Sequence, residues 1–238
     1  MTGAAAQPKG IAMTAKALLA TLDYAILKPE ATMDALLHAT ELCRALGVGC
    51  LCVKSCDVAF AAECLRGSAT KVAAVVGFPH GNTVGALKAM EAQLAVAQGA
   101  EEIDMVINVS ALKDGDLEGV TDDVRAVVTA AWPHPVKVIL ETALLTPAEM
   151  RKGVACAIKA GAAFVKTSTG FGPGGATPEA VKTLLAAAKG KVKVKASGGI
   201  RTRADAEAYL AMGCARLGVG NVLALLTPAE TRRLLPEE

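Results

Sequence analysis

The sequence predicts a single (β/α)8 barrel, the TIM-barrel class of α/β fold, and three observations lead there. From residue 20 onward, short apolar runs alternate with longer amphipathic runs, and eight such pairs can be counted. The length of 238 residues with 53% hydrophobic content is enough for one such barrel with a large core. The aromatic content is only 3%, with Ala, Val and Leu dominant, which suits helices packed closely on a buried parallel sheet better than a sandwich.

Taken in order, the first predicted strand, 21–27, passes through Lys28-Pro29 into a helix over 32–46 that stops at Gly47. The second strand, 49–54, precedes a helix over 56–66, and the third, 72–77, precedes one over 83–98 that ends at Gly99. The fourth pair is 102–108 with 116–131. The fifth is 136–141 with 147–160, where Thr146-Pro147 reads as an N-cap with proline in the first helical position and Gly161 closes the helix. The sixth, 163–167 with 177–189, repeats that signal at Thr177-Pro178 and ends at Gly190. The seventh is 192–196 with 202–213, stopping at Gly213, and the eighth is 216–219 with 221–226, followed by a short helix near 228–235. An open doubly wound sheet is the alternative. A dinucleotide-binding version would want a glycine fingerprint after its first strand, where Lys28-Pro-Glu stands instead.

Residues 1–15 read as a flexible N-terminal tail and 16–238 as the barrel domain. The tail lacks the apolar core of a signal peptide, and no apolar run reaches membrane-spanning length, so a cytoplasmic protein without membrane contact is expected. A net charge of +2, without a basic run or interleaved aromatics, argues against nucleic acid and for a small-molecule partner. Seven cysteines lie within apolar periodic segments with only three histidines to accompany them, which reads as reduced core thiols and no metal site.

The stretch that suggests chemistry is Phe164-Val-Lys-Thr-Ser-Thr-Gly-Phe-Gly-Pro-Gly-Gly175. It sets Lys166 at the end of an apolar strand, ahead of a glycine-rich turn and a helix start. A desolvated lysine that loses its proton is an amine nucleophile, able to form a Schiff base with a carbonyl. In a barrel the active site lies at the carboxyl ends of the strands, where this sequence also offers Asp23, Cys52, Asp104, Glu141, Lys195 and Asn221. Alternation against Val192, Val194 and Ala196 aims Lys195 into the barrel near Lys166. Two ammonium groups so close should lower the pKa of one of them, with Asp104 balancing the charge that remains. Glycine loops at Gly170 to Gly175, Gly198-Gly199 and Gly218-Val-Gly-Asn221 form a candidate phosphate cradle. On these residues alone, a lysine aldolase of any kind, a sugar-phosphate isomerase using Asp104 or Glu141 as base, or a silent phosphate-binding barrel all stay open.

Six segments, in order, resemble the deoxyribose-phosphate aldolase family of class I aldolases: Leu22-Asp-Tyr-Ala-Ile-Leu-Lys-Pro-Glu-Ala-Thr, Val76-Gly-Phe-Pro-His-Gly, Glu102-Ile-Asp-Met-Val-Ile-Asn-Val, Lys137-Val-Ile-Leu-Glu-Thr, Phe164-Val-Lys-Thr-Ser-Thr-Gly and Lys195-Ala-Ser-Gly-Gly-Ile-Arg. The resemblance covers most of residues 20 to 222. It implies that Lys166 forms the Schiff base, that Lys195 lowers its pKa, and that Asp104 relays protons through a water. The reaction implied is reversible cleavage of 2-deoxyribose 5-phosphate to glyceraldehyde 3-phosphate and acetaldehyde, with no metal or organic cofactor. Substrate and phosphate contacts are expected from Thr167, Gly170, Gly198, Gly199, Gly218, Gly220 and Asn221. The chain departs from the family pattern at Tyr24-Ala25, where histidine and threonine are usual, and at Gly220-Asn221, where serines are usual. Lost hydroxyl donors predict a milder preference for phosphorylated substrates. Cys52 is a candidate aldehyde-reactive thiol, with a core thiol as the plainer reading. A homodimer is compatible with the sequence, which carries no signal for a particular oligomeric state.

Overall fold

A computed structural model describes residues 13–235. Its eight strands are β1 (Leu22–Ile26), β2 (Cys50–Val53), β3 (Lys71–Val76), β4 (Glu102–Val106), β5 (Val136–Ile139), β6 (Phe164–Lys166), β7 (Lys193–Ser197) and β8 (Arg216–Val219). All neighbours pair in parallel in chain order, and β8 returns to β1 through Leu22–Leu217 and Tyr24–Val219, closing the barrel. The predicted strands and their order are thus borne out. The helices are α1 (Ala15–Leu19), α2 (Met33–Leu46), α3 (Val58–Leu65), α4 (Gly85–Ala97), α5 (Val109–Asp114), α6 (Leu117–Ala131), α7 (Pro147–Ala160), α8 (Pro178–Ala188), α9 (Arg203–Ala211) and α10 (Pro228–Leu234).

The period of two along each strand divides the residues between two environments. Leu51, Val53, Val72, Ala74, Ile103, Met105, Val138, Val165, Val194 and Ala196 turn outward and join the buried faces of the helices in the main core. Cys50, Cys52, Ala73 and Val75 fill one side of the lumen with small apolar groups. The same alternation sends the charged residues of β1, β4, β5, β6, β7 and β8 into the rest of the lumen, beneath the carboxyl ends of the strands.

Local sequence sets the helix limits as expected at most ends. Thr146 and Glu149 form a reciprocal capping box at α7, Thr177 caps α8, and prolines occupy the first turn of both. Gly47 and Gly161 end α2 and α7 in the left-handed conformation.

The structure corrects three expectations. The segment expected as a helix over 221–226 is a single 3-10 turn, Leu223–Leu225, too short for a full α-helical turn. Two helices were not foreseen, because five-residue α1 and six-residue α5 are too short to show a helical period. The expected tail runs too far. Residues 1–12 lie outside the described residues, but Thr14 caps α1, Ala15 is buried, and the Met13 carbonyl accepts from Arg203. The packed body therefore already includes 13–15.

Candidate active site

Strand register assembles the site. Lys166 and Lys195 are paired partners across β6 and β7, Asp104 pairs with Lys137 across β4 and β5, and Lys195 pairs with Arg216 across β7 and β8. Residues paired in this way point to the same side of the sheet, so all of these side chains share the lumen. The space Lys195 needs comes partly from Gly218, where a Cβ would lie 3.3 Å from Lys195 Cε and 2.6 Å from Ser197 Cβ.

Asp104 sits at the centre. Its Oδ2 accepts from Lys166 Nζ at 2.8 Å and from Lys195 Nζ at 2.8 Å, while its Oδ1 accepts from Lys137 Nζ at 2.7 Å. Lys195 also donates to Asp23 Oδ2. A deeper layer continues the network: Lys137 Nζ lies 3.3 Å from Asp23 and 2.6 Å from Glu102, and Arg216 bridges Asp23 to Glu102 Oε1, the latter at 2.7 Å. Lys137 and Asp104 are fully buried, and Lys166 is 3% exposed.

Four cations, Lys137, Lys166, Lys195 and Arg216, thus face three carboxylates, Asp23, Glu102 and Asp104. Burial alone would raise the Asp104 pKa, but Lys137, Lys166 and Lys195 outweigh it and hold the carboxyl well below its ordinary range. Asp23 is brought down to about 2, since Lys137 and Lys195 overcome its burial and the repulsion from Asp104. Burial favours loss of the Lys195 proton, yet Asp104 and Asp23 reverse that and raise its pKa above the ordinary lysine value. Lys195 is therefore held in its charged form.

A cavity of about 870 Å³ opens above this network, with Lys166 and Lys195 at its base. It is large enough for a sugar phosphate. The three glycine loops converge on it: Gly170, Gly198, Gly199, Gly218, Gly220 and Asn221 all line the wall. Gly170 and Gly199 have φ of +88° and +80°, a region costly for other residues, and nothing lies within 4 Å of where their Cβ atoms would project. Asn221 spends its side-chain oxygen on the Ala224 N–H at 3.2 Å, within the turn after β8. Lys28 and Arg201 add two cations to the rim.

The model of the DeoC/LacD family of aldolases matches residues 9–218. Over 197 residues the chain is 45% identical to a deoxyribose-phosphate aldolase of Streptococcus equi subsp. zooepidemicus, covering 83% of this chain and 90% of the relative. It is 44% identical over 214 residues to one from Clostridium perfringens, covering 90% and 96%. The chain belongs to the DeoC/LacD aldolase family. Solved structures agree: an aldolase named QR15 superposes with a TM-score of 0.86 at 35% identity over 92% of this chain and 99% of its own. A tetrameric deoxyribose phosphate aldolase of Aeropyrum pernix does so with a TM-score of 0.84 at 30% identity, over 89% and 90%.

Within this family member, two expected site residues need restating. Thr167 does not line the cavity: its hydroxyl donates to the Ser197 carbonyl at 3.0 Å and accepts from the Ser197 N–H at 3.0 Å, tying β6 to β7. Alternation gives the reason, because the residue after an inward Lys166 must point outward. Cys52 does line the cavity, but burial and the nearby Asp104 push its pKa up to about 11, despite Lys166 and Lys195. At neutral pH it is a thiol.

The residues that sequence reasoning passed over are Lys137, Glu102 and Arg216. A signal was present, since Lys137 stands between Val136 and Val138 just as Lys195 stands between Val194 and Ala196. Asp23, Cys50 and Glu102 place their donor atoms within 4.8 Å of one another, a grouping that could suggest a metal. Both carboxylates, however, are already held by Lys137 and Arg216, whose charges oppose a further cation.

Proposed function

We propose that the chain reversibly cleaves 2-deoxy-D-ribose 5-phosphate to D-glyceraldehyde 3-phosphate and acetaldehyde, with Lys166 as the Schiff-base residue. The observation that carries this reading is the shared Asp104 oxygen between Lys166 and Lys195 at the base of the cavity. Lys166 has one carboxylate contact, whereas Lys195 has two and Lys137 three. Lys166 is the cation whose neutralisation withdraws a partner from a single carboxylate, Asp104, which keeps Lys137 and Lys195, and the free amine can then attack a carbonyl.

The amine adds to C1 of the open-chain sugar and water leaves, giving an iminium. As the C3 hydroxyl gives up its proton, the C2–C3 bonding pair moves toward the iminium nitrogen. Glyceraldehyde 3-phosphate departs and an enamine of acetaldehyde stays on Lys166. Protonation of the enamine carbon and hydrolysis by water release acetaldehyde and restore the amine. Asp104, through a bridging water, is assigned the proton relay, and charged Lys195 holds Asp104 in place while disfavouring a second positive charge on Lys166. The positive-φ glycines and the cations Lys28 and Arg201 that line the same cavity support phosphate binding there. The hydroxyl-free Gly220-Asn221 loop supports a milder preference for phosphorylated substrates.

The test is borohydride reduction in the presence of acetaldehyde, followed by peptide mass mapping. A two-carbon adduct on Lys166 is expected, and its absence would remove the reading.

The assembly we assign is a homodimer. Val84, Leu87, Met90 and Leu94 form an exposed apolar stripe on and just before α4. The helix turns both of its charges away from it: Lys88 pairs with Asp123, and Glu91 accepts from Ser55 and Gly77. An unpartnered stripe of this kind suits a second copy. Leu87→Glu with Met90→Lys should shift the sedimentation mass to that of one chain. A cytoplasmic location is assigned from the cysteines, all seven of which are free. No helix among the described residues is long and apolar enough to cross a membrane.

A further inference from the structure

Behind the reaction cavity lies a smaller annex of about 110 Å³, lined by Pro79, His80, Val106, Val109, Glu141, Leu144 and the loop residues Thr169, Phe171 and Gly172. Thr169 and Phe171 line both spaces and so form the wall between them. The Phe171 ring is braced edge-on against Phe78, with centroids 5.3 Å apart at 86°.

The wall is held from below by Glu141. This residue is 4% exposed and adopts a left-handed backbone with φ of +55°, a conformation that favours glycine. Its Oε2 accepts from the Thr169 hydroxyl and, at 3.3 Å, from the Thr169 N–H, and the Thr169 hydroxyl in turn accepts from the Phe171 N–H at 3.0 Å. Gly172 lies against the same carboxyl, where a Cβ would come within 2.8 Å of it. Among the described residues Glu141 has no cation partner, and its Oε1 is buried without a hydrogen bond. Burying such a group costs stability, so the clamp is retained at a price in folding free energy.

We propose that Phe171 is a specificity-determining partition and that Glu141 is its positioning residue, together setting how long an aldehyde the reaction cavity accepts. Removing the ring joins the annex to the cavity and adds room for about three or four methylene-sized groups. Loosening the clamp lets the ring swing and does the same in part. The ligand class is therefore a linear aldehyde a few carbons longer than acetaldehyde, with its tail in the annex.

This inference rests on Lys166 being the amine that captures aldehydes, and the experiment separates the two. Borohydride trapping rates on Lys166 are measured for acetaldehyde and pentanal in the intact protein and in Phe171→Ala, Phe171→Leu, Glu141→Ala and Glu141→Gln. The pentanal to acetaldehyde ratio should rise about tenfold in F171A, as expected when a pocket gains space for methylenes. It should rise less in F171L and in E141A, and stay at the parent value in E141Q, whose amide oxygen can still accept from Thr169. An unchanged ratio in a folded F171A or F171L, with acetaldehyde trapping intact, overturns the partition. A rise in F171A with none in E141A overturns the clamp. No acetaldehyde adduct in the parent protein overturns the Lys166 reading and the partition with it.

Discussion

Lys166 and Lys195 hold one carboxylate oxygen between them, each Nζ lying 2.8 Å from Asp104 Oδ2. The two lysines are nonetheless unequal, because Lys195 has a second carboxylate in Asp23. Replacing Lys166 by methionine removes the cation in excess and leaves every carboxylate of the cluster paired. Turnover should vanish while urea denaturation shows a near-parental midpoint. Lys195→Met takes a buried partner from both Asp23 and Asp104, which are left with Lys137, Lys166 and Arg216, and should cost more than K166M, about 1–3 kcal/mol. Retained activity in K166M, or equal stability loss in the two variants, would refute the assignment.

The deeper layer makes a related prediction about charge rather than chemistry. Lys137→Met strands Glu102 Oε2 and Asp104 Oδ1, which lie 2.6 Å and 2.7 Å from the ammonium in the native protein. Adding Glu102→Gln removes one of the stranded charges, so the double variant should regain about 1–3 kcal/mol relative to K137M alone. Additive losses in denaturant titrations would show that these residues do not act as a network.

The same network predicts loss of stability in acid. Asp23 titrates near 2 in the folded chain against an ordinary 3.8, and Asp104 is also held well below its ordinary range. Depressed carboxyls contribute stability that is fully present above the ordinary carboxylate range and is lost as pH falls through the folded values. Thermal midpoints should therefore fall steeply from about pH 4 downward as these groups protonate. Asp23→Asn should flatten that slope. A midpoint independent of pH in this range would contradict the ion-pair geometry.

The barrel and the central lysines were legible in the sequence because both depend on local pattern. The strands show as apolar runs, their helices as capped amphipathic runs, and Lys166 and Lys195 as charges in otherwise apolar strands. Glu102, Lys137 and Arg216 were less visible, since attention to strand carboxyl ends passes over residues at the first or second position of a strand. Their role appears only when the register of β4, β5 and β8 brings them together beneath Asp104. Thr167 was misplaced by proximity in sequence to Lys166, although alternation pointed it outward. The Glu141 clamp was not legible at all, because it joins residues 28 positions apart through a left-handed turn that no glycine marks.

Cys52 gives a second pH-dependent outcome, of opposite direction. With its pKa pushed up to about 11, only about one thiol in ten thousand is ionised at pH 7. Addition to crotonaldehyde, followed by intact mass, should be slow at neutral pH and accelerate about tenfold per unit of added pH until near 11. Cys52→Ser should abolish that increment at the mapped peptide. Rapid modification at pH 7 would show that the thiolate is stabilised within the cavity after all.

Gly220 offers the most direct test of the phosphate wall. Like Gly199 it has nothing within 4 Å of where a Cβ would project, but unlike Gly199 it has no positive φ, so a side chain can be added without strain or collision. Gly220→Ser would present a hydroxyl to the cavity beside Gly218 and Asn221, which line the same wall. One added hydrogen bond to a charged oxygen is worth about 1.5–3 kcal/mol at best. KM for deoxyribose 5-phosphate should therefore fall about tenfold or more, while kcat/KM for unphosphorylated deoxyribose stays constant. Gly199→Ala serves as the contrast, because at φ of +80° the added methyl strains the backbone and should weaken binding of the phosphorylated substrate. If G220S changes both substrates alike, phosphate does not sit against this loop, and the hydroxyl-free sequence there does not explain a mild preference for phosphorylated substrates.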